Sequence, residues 1–499
     1  MAPTSAAAGS SASASSSATT TTTNNNNNNG TSAPSPPNGN PSNHSRIGTI
    51  TQRITAEATR GPDVWSTFNP LVFPECVNLG QGFMNWSPPS FVRGALEQAS
   101  KERVDVHHYS HPKGRPALRQ ALAKQVGESY RKPTNDESQD DFDVSSGAVP
   151  QQRADKGVGL DVETEIQVTA GANGAIYCAM TAFLEPGDEV IFLSPHFDQY
   201  ECEVTFMGGK PIYVPLLPPK ETKGSRARDW KVDWDALEKA FQRPKCKAII
   251  FNTPHNPLGK VFSLEELQRL AVLCIKYDQL VLADEVYDVL TFDDQKHIRI
   301  ASLQGMWNRT ITVGSGGKTF AATGWRIGWA VGPAHLIKPV LVVHTRITFC
   351  TNSLAAEACA VGLNQAGKEG FYALQVREYE ARRKVLCDAL DALGLPYTLP
   401  EGAYFIMVDA SALQVPKDYP FPSDLQPHYR LGYFVAKEAQ VVSIPATAFV
   451  SKEHVPIFEK WLRLSFCKDV GVGGEGEVEK GGQLEQGGQR LLTLKKFLQ

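Results

Sequence analysis

Residues 314–332 read G-S-G-G-K-T-F-A-A-T-G-W-R-I-G-W-A-V-G. The lysine of this stretch, Lys318, is reached from an apolar segment, T-I-T-V at 310–313, through Ser315 and two glycines. A short apolar segment bounded by glycine and polar residues is typical of a buried strand. The sequence therefore predicts that Lys318 stands just beyond the end of a buried strand.

A second apolar segment, upstream of the first, is followed directly by an acidic residue, Asp284. Residues 279–287 read Q-L-V-L-A-D-E-V-Y, so that Asp284 follows the apolar residues directly and Tyr287 comes three positions later. Capping a following helix is the structural alternative for such an acid. An acid and a lysine, each at the end of a predicted buried strand, are the first candidate site residues.

Short apolar segments alternate with amphipathic ones through the middle of the chain. Predicted strands and helices follow one another at 165–169 (strand), 174–184 (helix), 188–193 (strand), 247–252 (strand) and 264–277 (helix). Near-continuous apolar strands between helices indicate an α/β fold with a mostly parallel sheet, covered by helices on both faces. Ligands of such sheets bind at the carboxyl ends of the strands, where Asp284 and Lys318 are expected.

Composition narrows the class of protein. The 499 residues are 41% hydrophobic and 21% charged, which is typical of a globular protein with a sizeable core. A net charge of −3 gives no electrostatic reason to expect nucleic acid or an anionic membrane as a partner. The nine cysteines are scattered without a C-x-x-C pair, which favours reduced, buried thiols over a zinc site.

A lysine and an acid in these positions are what pyridoxal 5'-phosphate (PLP) requires of a protein. The lysine holds the cofactor covalently, and the acid pairs with its pyridinium nitrogen. On this interpretation Lys318 and Asp284 belong to one cofactor site.

Five motifs in a fixed order resemble the fold-type I aminotransferases of class I and II. They are N-L-G-Q-G-F (78–83), N-T-P-H-N-P-L-G-K (252–260), D-E-V-Y (284–287), the stretch 314–332 and W-L-R-L-S-F (461–466). Within that family the chain resembles the subfamily of kynurenine aminotransferase, glutamine transaminase K and cysteine-S-conjugate β-lyase. The resemblance implies PLP fold type I, with a large PLP-binding domain and a smaller α/β domain.

The resemblance also implies roles in catalysis and in holding the cofactor ring. Lys318 would be both the covalent anchor and the general base. Asp284 would pair with the ring nitrogen, and Tyr287 and Asn256 would bind the phenolic oxygen of the cofactor. Phe197, at the end of a strand, would stack on the ring.

The cofactor's phosphate needs hydrogen-bond donors and positive charge. Ser315 and Arg326 would supply a hydroxyl and a guanidinium. The turn T-A-G-A-N-G ends a predicted strand and begins a helix, so the backbone N–H groups of Ala172 and Asn173 would point at an anion.

Three further residues correspond to the family's substrate-binding positions. Arg463, within W-L-R-L-S-F, would grip the substrate's α-carboxylate, and an arginine inside an apolar strand independently suggests a ligand. Gly82 would let the backbone approach the substrate. Trp65 would line the side-chain pocket, with Asn256 also in contact with the substrate.

The segment H-H-Y-S-H at 107–111 has the appearance of a metal site but lacks a spaced carboxylate or cysteine set, so we expect no metal. The resemblance instead assigns Tyr109 to the phosphate of a neighbouring subunit. It therefore implies a homodimer with shared active sites.

The chain is predicted to have two domains and a low-complexity tail. Residues 80–355 form the predicted large domain, and 46–79 together with 356–499 form the small one. Two polar stretches, 132–159 and 471–488, are predicted to be an exposed loop insertion and a mobile insertion, and the end of the chain a terminal helix.

Residues 1–45 contain no Lys, Arg, Asp or Glu and are mostly Ser, Ala, Thr, Asn and Pro. Such a segment cannot bury enough apolar surface to offset chain entropy, which predicts disorder. It has no apolar core like that of a secretory signal, and its lack of arginine favours a cytoplasmic location over a mitochondrial one, which stays open.

Taken together, the sequence predicts a PLP-dependent aminotransferase working by a ping-pong mechanism. Its amino donor would be L-kynurenine, yielding kynurenic acid, or glutamine, methionine or an aromatic amino acid, and its acceptor a 2-oxo acid. The alternative is β-elimination from cysteine S-conjugates, which uses the same site. A PLP-sensing regulator is disfavoured because the N-terminal tail is uncharged low-complexity sequence rather than a DNA-binding domain.

Overall fold

The computed structural model describes residues 54, 63–72, 76–133, 140–154, 158–471 and 481–499. The tail 1–45 lies outside the described residues, so its predicted disorder stays a prediction. The segment Thr51–Gln499 forms one compact unit. Its predicted division into a large and a small domain also stays a prediction.

Strands of the described residues are numbered in chain order. They are β1 (Val77–Asn78), β2 (Ile166–Ala170), β3 (Glu189–Ser194), β4 (Lys210–Leu217), β5 (Lys231–Val232), β6 (Cys246–Asn252), β7 (Leu280–Asp284), β8 (Thr310–Ser315), β9 (Ile327–Val331), β10 (Tyr397–Thr398), β11 (Phe405–Asp409), β12 (Val441–Val442), β13 (Ile444–Pro445) and β14 (Trp461–Ser465).

The α-helices are numbered in the same way. They are α1 (Val64–Val72), α2 (Ser90–Glu102), α3 (Pro116–Val126), α4 (Gly171–Phe183), α5 (Gln199–Phe206), α6 (Trp234–Phe241), α7 (Leu264–Lys276), α8 (Gly316–Thr319), α9 (Ala334–Ile347), α10 (Ser353–Ala366), α11 (Phe371–Leu393), α12 (Arg430–Ala439), α13 (Val455–Phe458) and α14 (Gln483–Leu491).

The largest sheet has eight strands in the order β2-β9-β8-β7-β6-β3-β4-β5. The five strands from β8 to β4 in this order are parallel to one another, whereas β9 and β5 run antiparallel to their neighbours. The prediction of a mostly parallel sheet is confirmed. The carboxyl ends of β6, β7 and β8 therefore meet at one edge of the sheet, side by side.

Both faces of this sheet are covered. Along β3, Val190 and Phe192 enter a core cluster with residues of α4 and α11, whereas Ile191 and Leu193 enter a second cluster with residues of α6 and α7. Alternation of this kind follows from the two-residue period of a strand. A strand buried on both faces must be apolar throughout, which is why the strand segments were readable from sequence.

A smaller antiparallel sheet of four strands, in the order β10-β11-β14-β13, lies in the C-terminal part of the chain. It holds Arg463 on β14, opposite Met407 of β11 and Ile444 of β13. A two-stranded parallel pair joins β1 to β12, so the N-terminal segment before Gly82 is tied to the C-terminal region.

Local sequence signals explain where two of the helices begin and end. At the start of α7, the Ser263 hydroxyl accepts from the N–H of Glu266, and the Glu266 carboxylate accepts from the N–H of Ser263. This reciprocal pair satisfies two of the helix's free donors. Helix α11 ends at Gly394, whose φ of 91° is readily available only to glycine.

The C-terminal insertion differs from its prediction. Residues 483–488, expected to be mobile, belong to α14, and residues Leu492–Phe497 form a 3-10 helix. Leu484 and Leu491 are buried on one side of α14, and Gly487 lies so close to Leu79 that an added Cβ would approach it to 2.7 Å. Its two glycines allow this close packing. Residues 472–480 lie outside the described residues.

The loop insertion 132–159 is anchored rather than fully exposed. Asp140 is buried and accepts from the N–H groups of Gly305 and Asn308, each at 2.9 Å, and it also pairs with Arg153. A buried carboxylate requires such partners. Residues 134–139 and 155–157 of this loop lie outside the described residues.

No helix in the described part of the chain is long and apolar enough to cross a membrane. Five of the nine cysteines are buried. The same residues contain no cluster of His, Cys, Asp and Glu arranged to hold a metal ion.

Candidate active site

A cavity of about 260 Å³ opens at the carboxyl ends of β6, β7 and β8. Twelve of the thirteen predicted site residues line it, and Tyr109 does not. The twelve are Trp65, Gly82, Ala172, Asn173, Phe197, Asn256, Asp284, Tyr287, Ser315, Lys318, Arg326 and Arg463. Five residues that were not predicted line it as well, namely Tyr200, Asn252, Val286, Thr323 and Phe405.

Lys318 lies in α8, directly after β8. Its ammonium group donates to the backbone carbonyl of Gly82 at 3.1 Å and lies over the rings of Tyr287 and Tyr404, at 5.9 and 5.6 Å from their centroids. Burial lowers the pKa of Lys318 to about 8, because the charged form loses hydration. Near neutral pH an appreciable fraction of this amine is therefore uncharged and nucleophilic.

Asp284 ends β7 with both carboxylate oxygens engaged. The Tyr200 hydroxyl donates to Oδ2 at 2.5 Å, and the backbone N–H of Val286 donates to Oδ1 at 3.2 Å. Burial raises the pKa of Asp284 to about 6, and the hydrogen bond from Tyr200 together with the charge of Lys318 opposes that rise. A cation placed beside this carboxylate would hold it ionised.

Asn252 and Tyr287 support the same wall. The Asn252 side-chain amide donates to the backbone carbonyl of Asp284 at 2.8 Å and accepts from the N–H of Asn256 at 2.7 Å. Tyr287 packs edge-on against Tyr404, with ring centroids 5.1 Å apart, and burial raises the pKa of its phenol above the usual range. Tyr287 therefore stays protonated and able to donate a hydrogen bond.

Another part of the cavity lining, at the start of α4, contains hydrogen-bond donors. Ala172 and Asn173 lie in the first turn of α4, and no side chain caps that helix. Gly171 has a φ of 74°, and a Cβ there would come within 2.5 Å of the Arg326 guanidinium. The uncapped helix end, Arg326 and the Ser315 hydroxyl form a set of donors suited to an anion such as a phosphate.

Arg463 is a buried cation held by neutral groups. Its guanidinium donates to the backbone carbonyl of Gly80 at 2.6 Å and to Oδ1 of Asn256 at 3.0 Å. It is stacked between the rings of Phe405 and Phe449, at 4.3 and 4.5 Å from their centroids.

Within the described residues no acidic side chain forms a salt bridge with Arg463, and its Nε has no partner. Burial lowers the pKa of Arg463 to about 10. A buried guanidinium of this kind is costly unless an anion joins it, and a ligand carboxylate would satisfy it.

Aromatic and glycine residues shape the space between these charges. The Trp65 indole N–H donates to Asp198 at 2.7 Å, which fixes the ring at the cavity wall. At Gly82 a Cβ would come within 2.5 Å of the Phe405 ring, so only glycine fits there. Phe197 lies edge-on to Tyr200, with centroids 5.6 Å apart.

Tyr109 is exposed, with 85% of its surface accessible, and contacts the exposed Phe349 edge-on at 5.4 Å. It does not line the cavity of its own chain. Its predicted contact with the phosphate of a neighbouring subunit stays a prediction.

Two of the residues that the sequence reasoning missed carried a usable signal. Asn252 is a polar residue ending an apolar strand, the same signal that identified Asp284. Tyr200 lies three positions after Phe197, a spacing that puts two residues on one side of a helical turn. Phe405 carried no such signal, because its place depends on how the small sheet packs on the cavity.

Comparisons with known proteins indicate the family of the chain. Residues 74–471 match the family model described as aminotransferase class I and II. The chain is 38% identical over 455 residues to "Probable kynurenine--oxoglutarate transaminase BNA3" of Saccharomyces cerevisiae, covering 87% of this chain and 93% of that protein. It is also 38% identical over 415 residues to "Kynurenine--oxoglutarate transaminase 3" of Rattus norvegicus, covering 81% and 85%.

Among solved structures, the crystal structure of Bna3p from Saccharomyces cerevisiae superposes with a TM-score of 0.79 at 37% identity, covering 90% of this chain and all of that one. The family match spans most of the chain and includes both strand ends that carry Asp284 and Lys318. The chain therefore belongs to the class I and II aminotransferase family.

Proposed function

We propose that this aminotransferase uses PLP to move the amino group of L-kynurenine to a 2-oxo acid, with glutamine, methionine or aromatic amino acids as overlapping donors. The observation that carries the proposal is the joint presence, in one cavity, of the Lys318 amine, the Asp284 carboxylate and the Arg463 guanidinium, which forms no salt bridge within the described residues. An amine and an acid suit the cofactor, and the guanidinium suits the carboxylate shared by amino acids and oxo acids.

The residues present fit PLP on grounds of charge and hydrogen bonding. Asp284, buried and bonded by Tyr200, is placed to pair with a protonated ring nitrogen. At the other end, the uncapped start of α4, Ser315 and Arg326 would hold the phosphate. Lys318 would hold the cofactor covalently through Nζ, and Phe197 would contact its ring.

When bound, PLP supplies an electron sink that allows the Cα–H bond of an amino acid to break and its amino group to be exchanged. The protein's own part begins with the Lys318 amine. Because its pKa is lowered to about 8, Nζ can accept the proton from Cα near neutral pH and can later donate it to a different atom. Tyr287, held protonated by burial, would donate to the cofactor's phenolic oxygen.

Arg463 would orient the substrate. A bidentate guanidinium–carboxylate pair fixes both the position and the tilt of the substrate. The Cα–H bond of the substrate is therefore held in an orientation that the base can reach. Two aromatic residues of the cavity lining, Trp65 and Phe405, lie next to Arg463. They favour a flat, aromatic substrate side chain such as that of kynurenine.

The same cavity would serve both halves of a ping-pong reaction. The amino acid and the 2-oxo acid both carry the carboxylate that Arg463 would bind, so they would enter one after the other. With kynurenine as donor, the oxo-acid product would cyclise to kynurenic acid.

An absorbance spectrum of the purified holoenzyme tests the proposal. We expect the visible band of bound PLP to give way to a near-ultraviolet band when L-kynurenine is added without any oxo acid, and to return when 2-oxoglutarate follows. If the visible band does not change when kynurenine is added but is lost when glutamine or methionine is added, that amino acid would be the donor instead of kynurenine. Pyruvate release from a cysteine S-conjugate without an oxo acid would favour β-elimination instead.

We further propose that the enzyme works as a homodimer with shared active sites. The support is Tyr109, which is exposed and does not line the cavity of its own chain, and which lies beside the exposed Phe349. Sedimentation of the holoenzyme should give a dimer. Mixing Tyr109→Ala chains with inactive Lys318→Ala chains should give more activity than either variant alone, because the mixed dimer would contain one site that has both residues. No gain on mixing would contradict the sharing.

A further inference from the structure

A buried lysine, Lys468, lies shortly after the end of β14. It is 0% exposed and does not belong to the lining of the active-site cavity. Among the residues that the structure describes, no carboxylate forms a salt bridge with it. Burial lowers the pKa of Lys468, because the ammonium group loses its hydration. A buried charge without an opposite charge is unfavourable, so the fold keeps Lys468 at a cost in stability.

The partners of Lys468 belong to the segment that follows β1. Its ammonium group donates to the backbone carbonyls of Gln81 at 3.1 Å and of Phe83 at 2.6 Å. It also lies 3.8 Å from the centroid of the Phe83 ring, in the position of a cation–π contact. These neutral partners replace part of the lost hydration, but they do not supply an opposite charge.

Neither carbonyl depends on Lys468 for a hydrogen bond. The carbonyl of Gln81 also accepts from the Ser465 hydroxyl at 3.0 Å, and that of Phe83 also accepts from the Cys467 thiol, with Sγ at 3.4 Å. Without the lysine both acceptors would keep a donor, although the thiol is a weak one. Satisfying buried polar groups therefore does not explain why a charge is buried at this point.

The residue between the two carbonyls, Gly82, connects Lys468 to the active site. Gly82 lines the cavity, and its carbonyl accepts from Lys318 Nζ at 3.1 Å and from the Tyr404 hydroxyl at 2.8 Å. Glycine leaves the backbone more freedom than any other residue. The peptide unit that carries the Gly82 carbonyl therefore needs restraint from its neighbours.

Lys468 supplies this restraint from both sides. The carbonyl of Gln81 belongs to the peptide unit before that of Gly82, and the carbonyl of Phe83 belongs to the unit after it. Because each peptide unit is planar, holding its oxygen restricts the rotation of the whole unit. One ammonium group that holds both neighbouring units leaves little rotation for the unit between them.

We propose that Lys468 is a positioning residue for amino-group transfer, which keeps the Gly82 carbonyl directed at Lys318 Nζ. This role rests on the proposed function, in which Nζ accepts the proton from Cα and later donates it. An amine held by a fixed acceptor stays within reach of that proton, whereas an amine on a long, unrestrained side chain must find its position in every turnover.

The variant Lys468→Met tests the proposal, because methionine has a similar length but carries neither a charge nor a donor. The matched control is Lys260→Met. Lys260 is also fully buried and donates to a backbone carbonyl, that of Arg228 at 3.3 Å. It lies outside the cavity lining and pairs with Glu266 at 2.8 Å.

Three quantities would be measured on each holoenzyme. They are kcat and KM with L-kynurenine, the temperature of thermal unfolding, and deuterium exchange in the peptide that covers residues 79–85. In Lys468→Met we expect kcat to fall about fivefold or more, with KM within about twofold of the wild-type value, because the base is displaced while Arg463 is unchanged. Residues 79–85 should exchange faster than in the wild type.

The stability of the two variants separates positioning from a structural role. Thermal stability of Lys468→Met should stay the same or rise, because a buried charge has been removed and both carbonyls keep a donor. Lys260→Met should lower stability, because Glu266 loses its partner, and should leave kcat and the exchange of residues 79–85 unchanged.

An unchanged kcat in Lys468→Met, exchange as slow as in the wild type, or a loss of stability as large as in Lys260→Met would overturn the proposal. Absence of kynurenine turnover in the wild type would instead overturn the proposed function. The exchange of residues 79–85 does not depend on turnover, so it would still test the restraint by Lys468.

Discussion

The hydroxyl of Tyr200 donates a hydrogen bond of 2.5 Å to the carboxylate of Asp284, across 84 positions of sequence. Both groups are buried, so little water competes for this contact. The bond favours the ionised carboxylate and opposes the rise in pKa that burial causes. Tyr200 is therefore a positioning residue that keeps Asp284 charged and correctly aimed.

Replacing Tyr200 with phenylalanine tests this relationship. Without the donor, the pKa of Asp284 should rise, because the hydrogen bond from Tyr200 is the largest of the interactions that oppose the effect of burial. A hydrogen bond to a charged group contributes about 1.5–3 kcal/mol. We expect kcat to fall about tenfold or more, and the acidic limb of the kcat–pH profile to move to higher pH by about one unit or more.

Tyr419→Phe is the matched control for that variant, because its hydroxyl also donates to a carboxylate, that of Glu438 at 3.1 Å, away from the cavity. It should leave the pH profile unchanged. A Tyr200→Phe enzyme with reduced kcat but an unmoved acidic limb would show a structural role only.

Replacing Asp284 with asparagine preserves shape and removes charge. The pairing with a protonated ring nitrogen would then be lost, and kcat should fall about 10²- to 10³-fold, about 3–4 kcal/mol of barrier. Single-turnover rates with L-kynurenine measure this directly. Asp188→Asn, at a surface ion pair with Lys247, serves as the control, and rates alike in the two variants would refute the assignment.

The variant Arg463→Lys tests whether binding of the substrate carboxylate depends on the positive charge alone or also on the geometry of the guanidinium. Lysine keeps a positive charge but cannot form the two-point contact of a guanidinium. KM for both the amino acid and the oxo acid should rise about tenfold or more, about 1.4 kcal/mol, while the cofactor spectrum stays as in wild type. Arg243→Lys, at a pair with the buried Glu189 outside the cavity lining, should change neither constant. An unchanged KM in Arg463→Lys would contradict the role.

The lowered pKa of Lys318 also has a consequence for stability. The folded apoprotein binds this proton with a pKa of about 8, whereas the ordinary value is 10.5. Well below pH 8 both states are protonated, and the folded state bears the full penalty of burying the charge. Between pH 8 and 10.5 the unfolded state binds more protons, so stability rises with pH.

Lys318→Met should therefore stabilise the apoprotein against urea at pH 7, by an amount that shrinks as the pH approaches 10. The exposed Lys338→Met is the control and should show no such trend. A gain in stability that does not depend on pH would mean that packing, rather than charge, explains it.

Much of the fold was predictable because strands buried on both faces are apolar throughout and end at polar residues. Asp284, Ser315 and Lys318 stood out for that reason, and the structure brings them together at adjacent strand ends. Helix α14 was not predictable from its composition. Its Gly, Glu and Gln content indicates mobility, whereas two leucines seven positions apart and close-packed glycines hold it in place.

In the site, contacts between distant segments could not be predicted. The position of Tyr200 beneath Asp284 depends on how α5 packs against β7, and that of Phe405 against Gly82 depends on the small sheet. The environment of Arg463 could be predicted only in part. An arginine in an apolar strand indicated a ligand, but its stacking between Phe405 and Phe449 needed three-dimensional packing.

The most direct test of the central claim is reduction of the PLP-loaded enzyme with borohydride, followed by peptide mass mapping. Reduction makes the bond between the cofactor and its lysine permanent. We predict one modified residue, Lys318, and loss of the modification when L-kynurenine is added before the reductant. Modification of another lysine, or none at all, would contradict the account.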